Sequence, residues 1–138
     1  MVIIYQHFIT KSIIKYNNKV PTLIIIKTKL GFKFEGYTTK TWELNGIKKK
    51  DESTFLFSLN NKKKYNIKNE QIQNAIYGNN SYFAFGDGFD LSIYDQCTLK
   101  NYSYCSSCSF NTTEKYELNG GQKNFYVDEL EVYHVEFE

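Results

Sequence analysis

The stretch that decides the fold is TLIIIKTKLGFKFEGY, residues 22–37. Its first seven residues, 22–28, place apolar side chains on both faces of a strand, which is typical of a strand covered on both sides. After a turn at Leu30-Gly31, apolar and polar residues alternate to the end of the stretch, which is the period of a half-buried strand. The sequence therefore predicts a β-hairpin over residues 22–37.

The same kind of pattern recurs along the chain. TFLFSL at 54–59 and a short run at 65–67 flank a turn of Asn and Lys, so they predict a second hairpin. YFAFGDGFDLSIY at 82–94 predicts two strands separated by the GDG break at 86–88. Residues 97–115 are rich in Ser, Asn, Thr and Cys, and they indicate a long loop or a weak hairpin.

The last strong β pattern is FYVDELEVYHVEF at 125–137. Its apolar residues change parity twice, once after Val127 and once after Val132. A regular strand cannot change the face that it buries, because side chains alternate strictly between the two faces. The sequence therefore predicts one or two bulges or bends, near Asp128–Glu129 and near Val132.

Helical patterns are short. Residues 4–16 carry apolar side chains at helical spacing and predict a short amphipathic helix, and residues 70–77 indicate either a short helix or an irregular loop. No alternation of strands with long helices is present. The predicted fold class is therefore mostly β (α+β), a two-sheet antiparallel β-sandwich with a few peripheral short helices, forming one domain over residues 1–138.

Composition narrows the possible functions. All 17 basic residues are Lys and the net charge is +2, so the Arg side chains that usually read nucleic acids are missing and no nucleic-acid partner is expected. No stretch approaches the roughly 20 apolar residues of a membrane span, and no secretory signal is evident. We therefore expect a cytoplasmic chain without membrane insertion, with its three cysteines reduced.

The sequence contains no catalytic constellation. The two histidines, His7 and His134, are far apart and lie outside any metal-binding spacing. Phosphate-binding loops and nucleophile-elbow motifs are also missing. We therefore expect no enzyme activity, no cofactor and no metal, and we interpret both histidines as packed or exposed side chains.

Three cysteines form the strongest chemical alternative. Cys105 and Cys108 make a CxxC pair, and Cys97 is a third thiol nearby in sequence. Such a pair occurs in thiol redox motifs and in half of many zinc sites. A zinc site needs about four ligands, and a thioredoxin motif needs an α/β fold. The competing interpretation is that the three thiols are incidental.

The acidic residues offer two further alternatives. Asp87 and Asp90 stand beside Gly86 and Gly88, which would suit a calcium- or carbohydrate-binding loop, although calcium needs about six oxygens and glycines also simply permit tight turns. The carboxylates of the last strand and the lysine runs form charged patches, which are either solvated surface or docking patches.

Five segments, in this order, resemble those of the TLDc domain family. They are VPTLIIIKT at 20–28, LGFKFEGYTTKTW at 30–42, STFLFSLNNKKKY at 53–65, AIYGNNSYFAFGDGFDLSIY at 75–94 and YELNGGQKNFYVDELEVYHV at 116–135. The resemblance runs from about residue 8 to the end of the chain. No single segment decides it, but five in the correct order do.

The resemblance implies two antiparallel sheets with helices around them and no established enzyme activity. It also implies a role in protection against oxidative stress and in binding and regulating the vacuolar proton-pumping ATPase. Gly36 and Gly86 are expected at turns or close backbone approaches, and Trp42 as a packing anchor. The full set of signature positions is Gly36, Tyr37, Trp42, Gly86, Gly88, Asp90, Glu129 and Glu131.

The chain also departs from the family pattern. Glu35 replaces a usual Gly, and Tyr82-Phe83-Ala84 stands where Gly-Pro is common. The family's upstream helical portion, which ends in a YRASRDG-like stretch, is missing before Phe8. The resemblance therefore implies an N-terminally truncated copy, of the kind expected in a protist.

Overall fold

Antiparallel strands account for most of the computed structural model, which describes residues 3–4 and 20–135. Two short 3-10 helices, Asn69–Asn74 and Glu117–Asn119, accompany them. The strands among the described residues are β1 (Ile3–Ile4), β2 (Thr22–Thr28), β3 (Lys33–Thr38), β4 (Phe55–Ser58), β5 (Lys63–Asn66), β6 (Ile76–Gly78), β7 (Tyr82–Phe85), β8 (Leu91–Tyr94), β9 (Ser103–Cys105), β10 (Asn124–Phe125) and β11 (Val127–His134).

The strands form two sheets. The first has the order β1-β11-β2-β3-β4-β5, and the second has the order β10-β9-β8-β7-β6. All neighbouring pairs are antiparallel. The predicted fold class is therefore confirmed, since the chain is mostly β with two antiparallel sheets and little helix.

Both predicted hairpins are present. Strand β2 pairs with β3, and β4 pairs with β5. Only the inner face of β2, which carries Ile24 and Ile26, is completely buried, whereas Leu23 and Ile25 on the outer face are half-buried. The run of apolar residues thus overestimated the cover on the outer face, because the second sheet packs against one side of β2 only.

The last strand contains one of the two predicted irregularities. The register of β11 against β2 shifts between Val127 and Glu129, so the prediction of a bulge near Asp128–Glu129 is confirmed. The prediction near Val132 is wrong, because pairing is regular from Glu129 to His134. Tyr133 lies on the outer face of the sheet, where its ring is half-buried. The strand therefore continues without an irregularity at this position.

The other predicted elements have mixed outcomes. The segment 70–77 contains the 3-10 helix Asn69–Asn74 and then enters β6. Residues 97–115 contain β9, which pairs with β8 and β10. Ile4, the first residue of the helix predicted over residues 4–16, lies in β1; the remainder of that prediction lies outside the described residues.

Trp42 lies at the centre of the core between the sheets. Its indole ring meets Phe83 and Phe85 edge-on, with centroid separations of 5.1 and 5.3 Å. Its Nε1–H donates a hydrogen bond of 3.1 Å to the Thr22 hydroxyl. The buried indole therefore has a partner for its one polar group, which tryptophan needs when it is taken out of water.

Replacing Trp42 by Ala removes this ring from the centre of the core. We expect Trp42→Ala to lower the free energy of unfolding by about 3–5 kcal/mol, because a large cavity is left and Thr22 loses its donor. Urea denaturation followed by circular dichroism measures the change. The control is Tyr102→Ala, whose ring is 54% exposed and whose loss changes stability by about 0.5 kcal/mol or less. Equal effects of the two substitutions would contradict the assigned core.

Candidate interaction surface

Tyrosine side chains from four neighbouring strands share the outer face of the second sheet. They alternate with core residues, so that Tyr77, Tyr82, Tyr94 and Tyr104 point away from the first sheet and are half-buried. Tyr82 lies directly opposite Tyr94 in the register of β7 and β8. The pleat of the sheet therefore gathers into one group residues that are up to 27 positions apart in the sequence.

The rings of this group are in contact. Tyr82 and Tyr94 stack with their centroids 4.8 Å apart, and Tyr77 lies 5.7 Å from Tyr82. Phe89 packs against both Tyr77 and Tyr82, at 5.3 and 5.4 Å. We call Tyr77, Tyr82, Phe89, Tyr94 and Tyr104 the tyrosine face.

Burial and the neighbouring hydroxyls affect the ionisation of two of these tyrosines. Burial raises the pKa of Tyr82 to about 12, and the neighbouring Tyr77, Tyr94 and Tyr104 hydroxyls act in the same direction. Burial also raises the pKa of Tyr104, with a further contribution from Tyr94. The phenols of Tyr82 and Tyr104 therefore stay neutral at physiological pH and act as hydrogen-bonding groups on an otherwise apolar surface.

Phe89 joins the tyrosine face at a conformational cost. Its φ is +54°, which lies in the left-handed region that bulky residues rarely occupy. The strain arises in the turn after Gly86, where the Phe89 N–H donates to the Gly86 carbonyl at 3.3 Å. Strained residues of this kind persist where the surroundings hold them, and they are frequent at functional surfaces.

The signature residue Asp90 fastens a loop. Its side chain is fully buried, and its carboxylate accepts hydrogen bonds of 2.9–3.0 Å from the N–H groups of Cys108, Ser109 and Phe110. Burial raises the pKa of Asp90, and these hydrogen bonds act in the opposite direction. Asp90 therefore ties the 108–110 segment to the start of β8.

Gly86 makes room for this carboxylate. Its φ is +88°, and a Cβ atom there would lie 2.4 Å from Asp90 Oδ1. Asp87, the other acid of the predicted calcium or carbohydrate loop, binds Lys48 instead of turning toward Asp90. The oxygens of the two carboxylates are thus engaged with different protein groups, so the geometry lends no support to a shared calcium site.

The cysteines are poorly placed for thiol chemistry. Cys105 is fully buried and Cys97 is nearly so, whereas Cys108 is half-buried beside Gly88. Burial raises the pKa of both Cys97 and Cys105 to about 11, so the reactive thiolate is scarce at neutral pH. Among the described residues, no group of three or more His, Cys, Asp and Glu side chains is arranged to hold a metal ion.

The remaining signature residues lie elsewhere. Tyr37 stacks on Phe55 at 4.8 Å on the outer face of the first sheet. Glu129 is exposed, and Glu131 accepts a hydrogen bond from the Tyr133 hydroxyl. Trp42 and Gly36 lie in the core, while His134 is half-buried near the end of β11 and His7 is outside the described residues. The signature positions therefore do not converge on one site.

Sequence reasoning missed a second buried carboxylate. Asp51 is 2% exposed and accepts hydrogen bonds of 2.7–3.0 Å from Thr38, Thr39 and Ser53. The bond from Ser53 N–H, two residues after Asp51, is a local turn that Asp often forms. That spacing was a usable signal for the turn, but the contact with Thr38 and Thr39 depends on the folded sheet.

Comparisons with known proteins agree with this architecture. A protein-family model described as the TLDc domain matches residues 5–136 of the chain, and so the resemblance read from the five segments is confirmed. A search of curated proteins found no match. None of the helices in the described part of the chain is long and apolar enough to cross a membrane.

Thiol titration tests the burial of the cysteines. We expect Cys97 and Cys105 to react with a disulfide reagent only after unfolding, because a pKa of about 11 and the surrounding core suppress both thiolate formation and access. Under native conditions at neutral pH, at most one of the three thiols reacts promptly, and Cys108→Ser abolishes that reaction. Rapid reaction of two or three native thiols would revive the redox alternative.

Proposed function

Because the chain belongs to the TLDc domain family, we propose that it is a non-catalytic, cytoplasmic domain that acts by binding other proteins. Subunits of the vacuolar proton-pumping ATPase are the proposed partners, and protection against oxidative stress is the proposed cellular outcome. The partners and the outcome rest on the resemblance to the family. The binding surface is inferred from the side-chain contacts and burial in this chain.

The observation that carries the proposal is the tyrosine face. Four of its five rings, those other than Tyr104, are held by mutual contacts of 4.8–5.7 Å, so little side-chain entropy is lost when a partner covers them. Tyrosine combines a large apolar ring with a hydroxyl that hydrogen-bonds at a surface, and it is enriched at protein interfaces and their energetic centres. A rigid, amphipathic sheet face of this kind suits a protein partner.

The buried ionisable groups support a non-catalytic domain. The carboxylate oxygens of Asp51 and Asp90 accept hydrogen bonds from hydroxyl and backbone N–H groups of the chain. A general base needs a carboxylate that can reach a substrate proton. Burial of Cys97 and Cys105 likewise keeps these thiols protonated and away from solvent. These buried groups therefore stabilise the fold, and we expect the functional residues on the surface.

The proposal predicts that the tyrosine face is required for binding the ATPase. We expect the purified cytosolic sector of the ATPase to bind the chain, and Tyr82→Ser combined with Tyr94→Ser to weaken this binding at least about tenfold, since interface tyrosines typically contribute 1 kcal/mol or more each. Biolayer interferometry measures the dissociation constants. The matched control is Tyr133→Ser, which removes a half-buried tyrosine from the outer face of the other sheet.

Two results would contradict different parts of the proposal. No binding by the native chain would reject the ATPase as a partner. Unchanged binding by the Tyr82/Tyr94 variant, at a melting temperature close to that of the native chain, would reject the tyrosine face as the binding surface. In cells, the same variant is expected to lose protection against peroxide in parallel with its loss of binding.

A further inference from the structure

Exposed apolar side chains are concentrated at one end of the sandwich. Six large apolar side chains are exposed among the described residues, and only Ile47 lies away from this end. Single exposed apolar residues are ordinary, but a concentration of them marks an interaction site. The five at this end, with their exposed fractions, are Leu30 (64%), Leu59 (38%), Leu99 (74%), Tyr102 (54%) and Tyr126 (41%).

Hydrogen bonds between turns bring these residues to the same end. In the first sheet, the turn after β2 carries Leu30 and the turn after β4 carries Leu59, and the Leu59 N–H donates to the Lys33 carbonyl at 2.9 Å. The Lys29 N–H donates to the Tyr126 carbonyl at 3.0 Å, which places Tyr126 beside the turn after β2.

The second sheet contributes the turn between β8 and β9. The Val127 N–H donates to the Cys97 carbonyl at 2.9 Å, and the Asn124 side chain donates to the Asn101 carbonyl at 3.2 Å. This turn, which carries Leu99 and Tyr102, therefore adjoins the start of β11 and hence Tyr126. We call this end, with its exposed leucines and tyrosines, the loop end.

The loop end also carries positive charge. Two lysines there lie over tyrosine rings: Lys29 over Tyr126 at 4.8 Å and Lys100 over Tyr102 at 5.3 Å. Each ring holds the lysine stem against an apolar surface while the ammonium group remains at the edge of the protein.

Lys27, Lys33 and Lys62 at the same end add further positive charge, and the carboxylates of Asp95, Asp128 and Glu129 offset only part of the total. Asp128 is already bound to Lys27, at 3.9 Å. The lysines thus leave the loop end cationic, and it attracts an anionic partner.

The arrangement of the leucines selects the kind of anionic partner. Leu30, Leu59 and Leu99 stand on three separate turns, so they form three protrusions and not one continuous pocket. A protein partner would need a matching hole for each protrusion, because protein interfaces are close-packed. A fluid bilayer accepts separate protrusions without a complementary shape. Tyrosine and lysine, in turn, are the residues that settle at the level of lipid headgroups.

We propose that the loop end docks on the surface of a bilayer that contains anionic phospholipids. The leucine side chains enter the boundary between headgroups and acyl chains, the tyrosines lie at headgroup level, and the lysines attract the lipid phosphates. The chain remains on the surface and does not cross the membrane. This inference goes beyond the proposed protein binding, because it uses the loop end, which borders the tyrosine face where the Tyr102 ring meets the Tyr94 ring at 6.1 Å.

Vesicle sedimentation with the whole chain tests the proposal. We expect binding to vesicles of three parts phosphatidylcholine to one part phosphatidylserine, little binding to phosphatidylcholine alone, and several-fold weaker binding when NaCl rises from about 0.05 to about 0.5 M. Lys29→Gln with Lys100→Gln weakens the partition coefficient about 25-fold, at about fivefold for each lysine. Leu30→Ser with Leu99→Ser weakens it at least about tenfold.

The controls use the same chemistry outside the loop end. Ile47→Ser removes the remaining exposed apolar side chain, which is 63% exposed, and Lys50→Gln removes an exposed charge; both bind vesicles like the native chain. All these positions are exposed, so melting temperatures are expected to stay within a few degrees.

Three results would overturn the proposal. The first is no binding to phosphatidylserine vesicles at low salt. The second is native-like binding by the leucine variant, which would leave only non-specific charge attraction. The third is displacement by soluble polyglutamate together with leucine independence, which would indicate an acidic protein partner. Binding to the ATPase sector is measured without lipid, so failure of either proposal is visible separately.

Discussion

The close approach of Gly36 to the ring of Phe85 is the constraint on which the rest of the structure depends. A Cβ atom at position 36 would lie 2.4 Å from Phe85 Cε2 and 2.6 Å from Cζ, so the two sheets meet here at a separation that only glycine permits. Phe85 in turn presents its ring to Trp42. Because Phe83 and Phe85 must point inward, strand alternation sends Tyr82 outward. The tyrosine face is therefore a consequence of how the core is packed.

The same core contains two carboxylates that stabilise the fold. The two buried carboxylates, Asp51 and Asp90, are surrounded by hydrogen-bond donors of the chain, as buried charges must be if they are not to destabilise the fold. Asp51 binds the end of β3 through Thr38, and Asp90 holds residues 108–110 beside the start of β8. What these connections hold in place is a rigid framework with an aromatic side and a cationic end. The tyrosine face and the loop end both consist of side chains that do not fill the core.

Local pattern predicted the strands well and the site poorly. An apolar run located β2, alternation located β3, and the parity change after Val127 located the bulge, because all three depend on neighbours in sequence. The parity change at Tyr133 gave a wrong prediction of an irregularity near Val132, because an aromatic ring is also accommodated on a half-buried outer face. The partners of Asp90 lie 18–20 positions away, and the tyrosines meet only across four paired strands. Such contacts depend on the register of the folded sheets, which no local pattern contains.

A double-mutant cycle on Gly36 and Phe85 tests the central packing claim most directly. Gly36→Ala alone is expected to cost about 1–3 kcal/mol, because the added methyl group overlaps the Phe85 ring. Phe85→Leu removes the Cε2 and Cζ atoms that the methyl group would meet. Urea denaturation should therefore show the double variant to be more stable than the sum of the single effects predicts, with a coupling of about 1 kcal/mol or more. Effects that add within about 0.5 kcal/mol would contradict the account, since independent positions behave in that way.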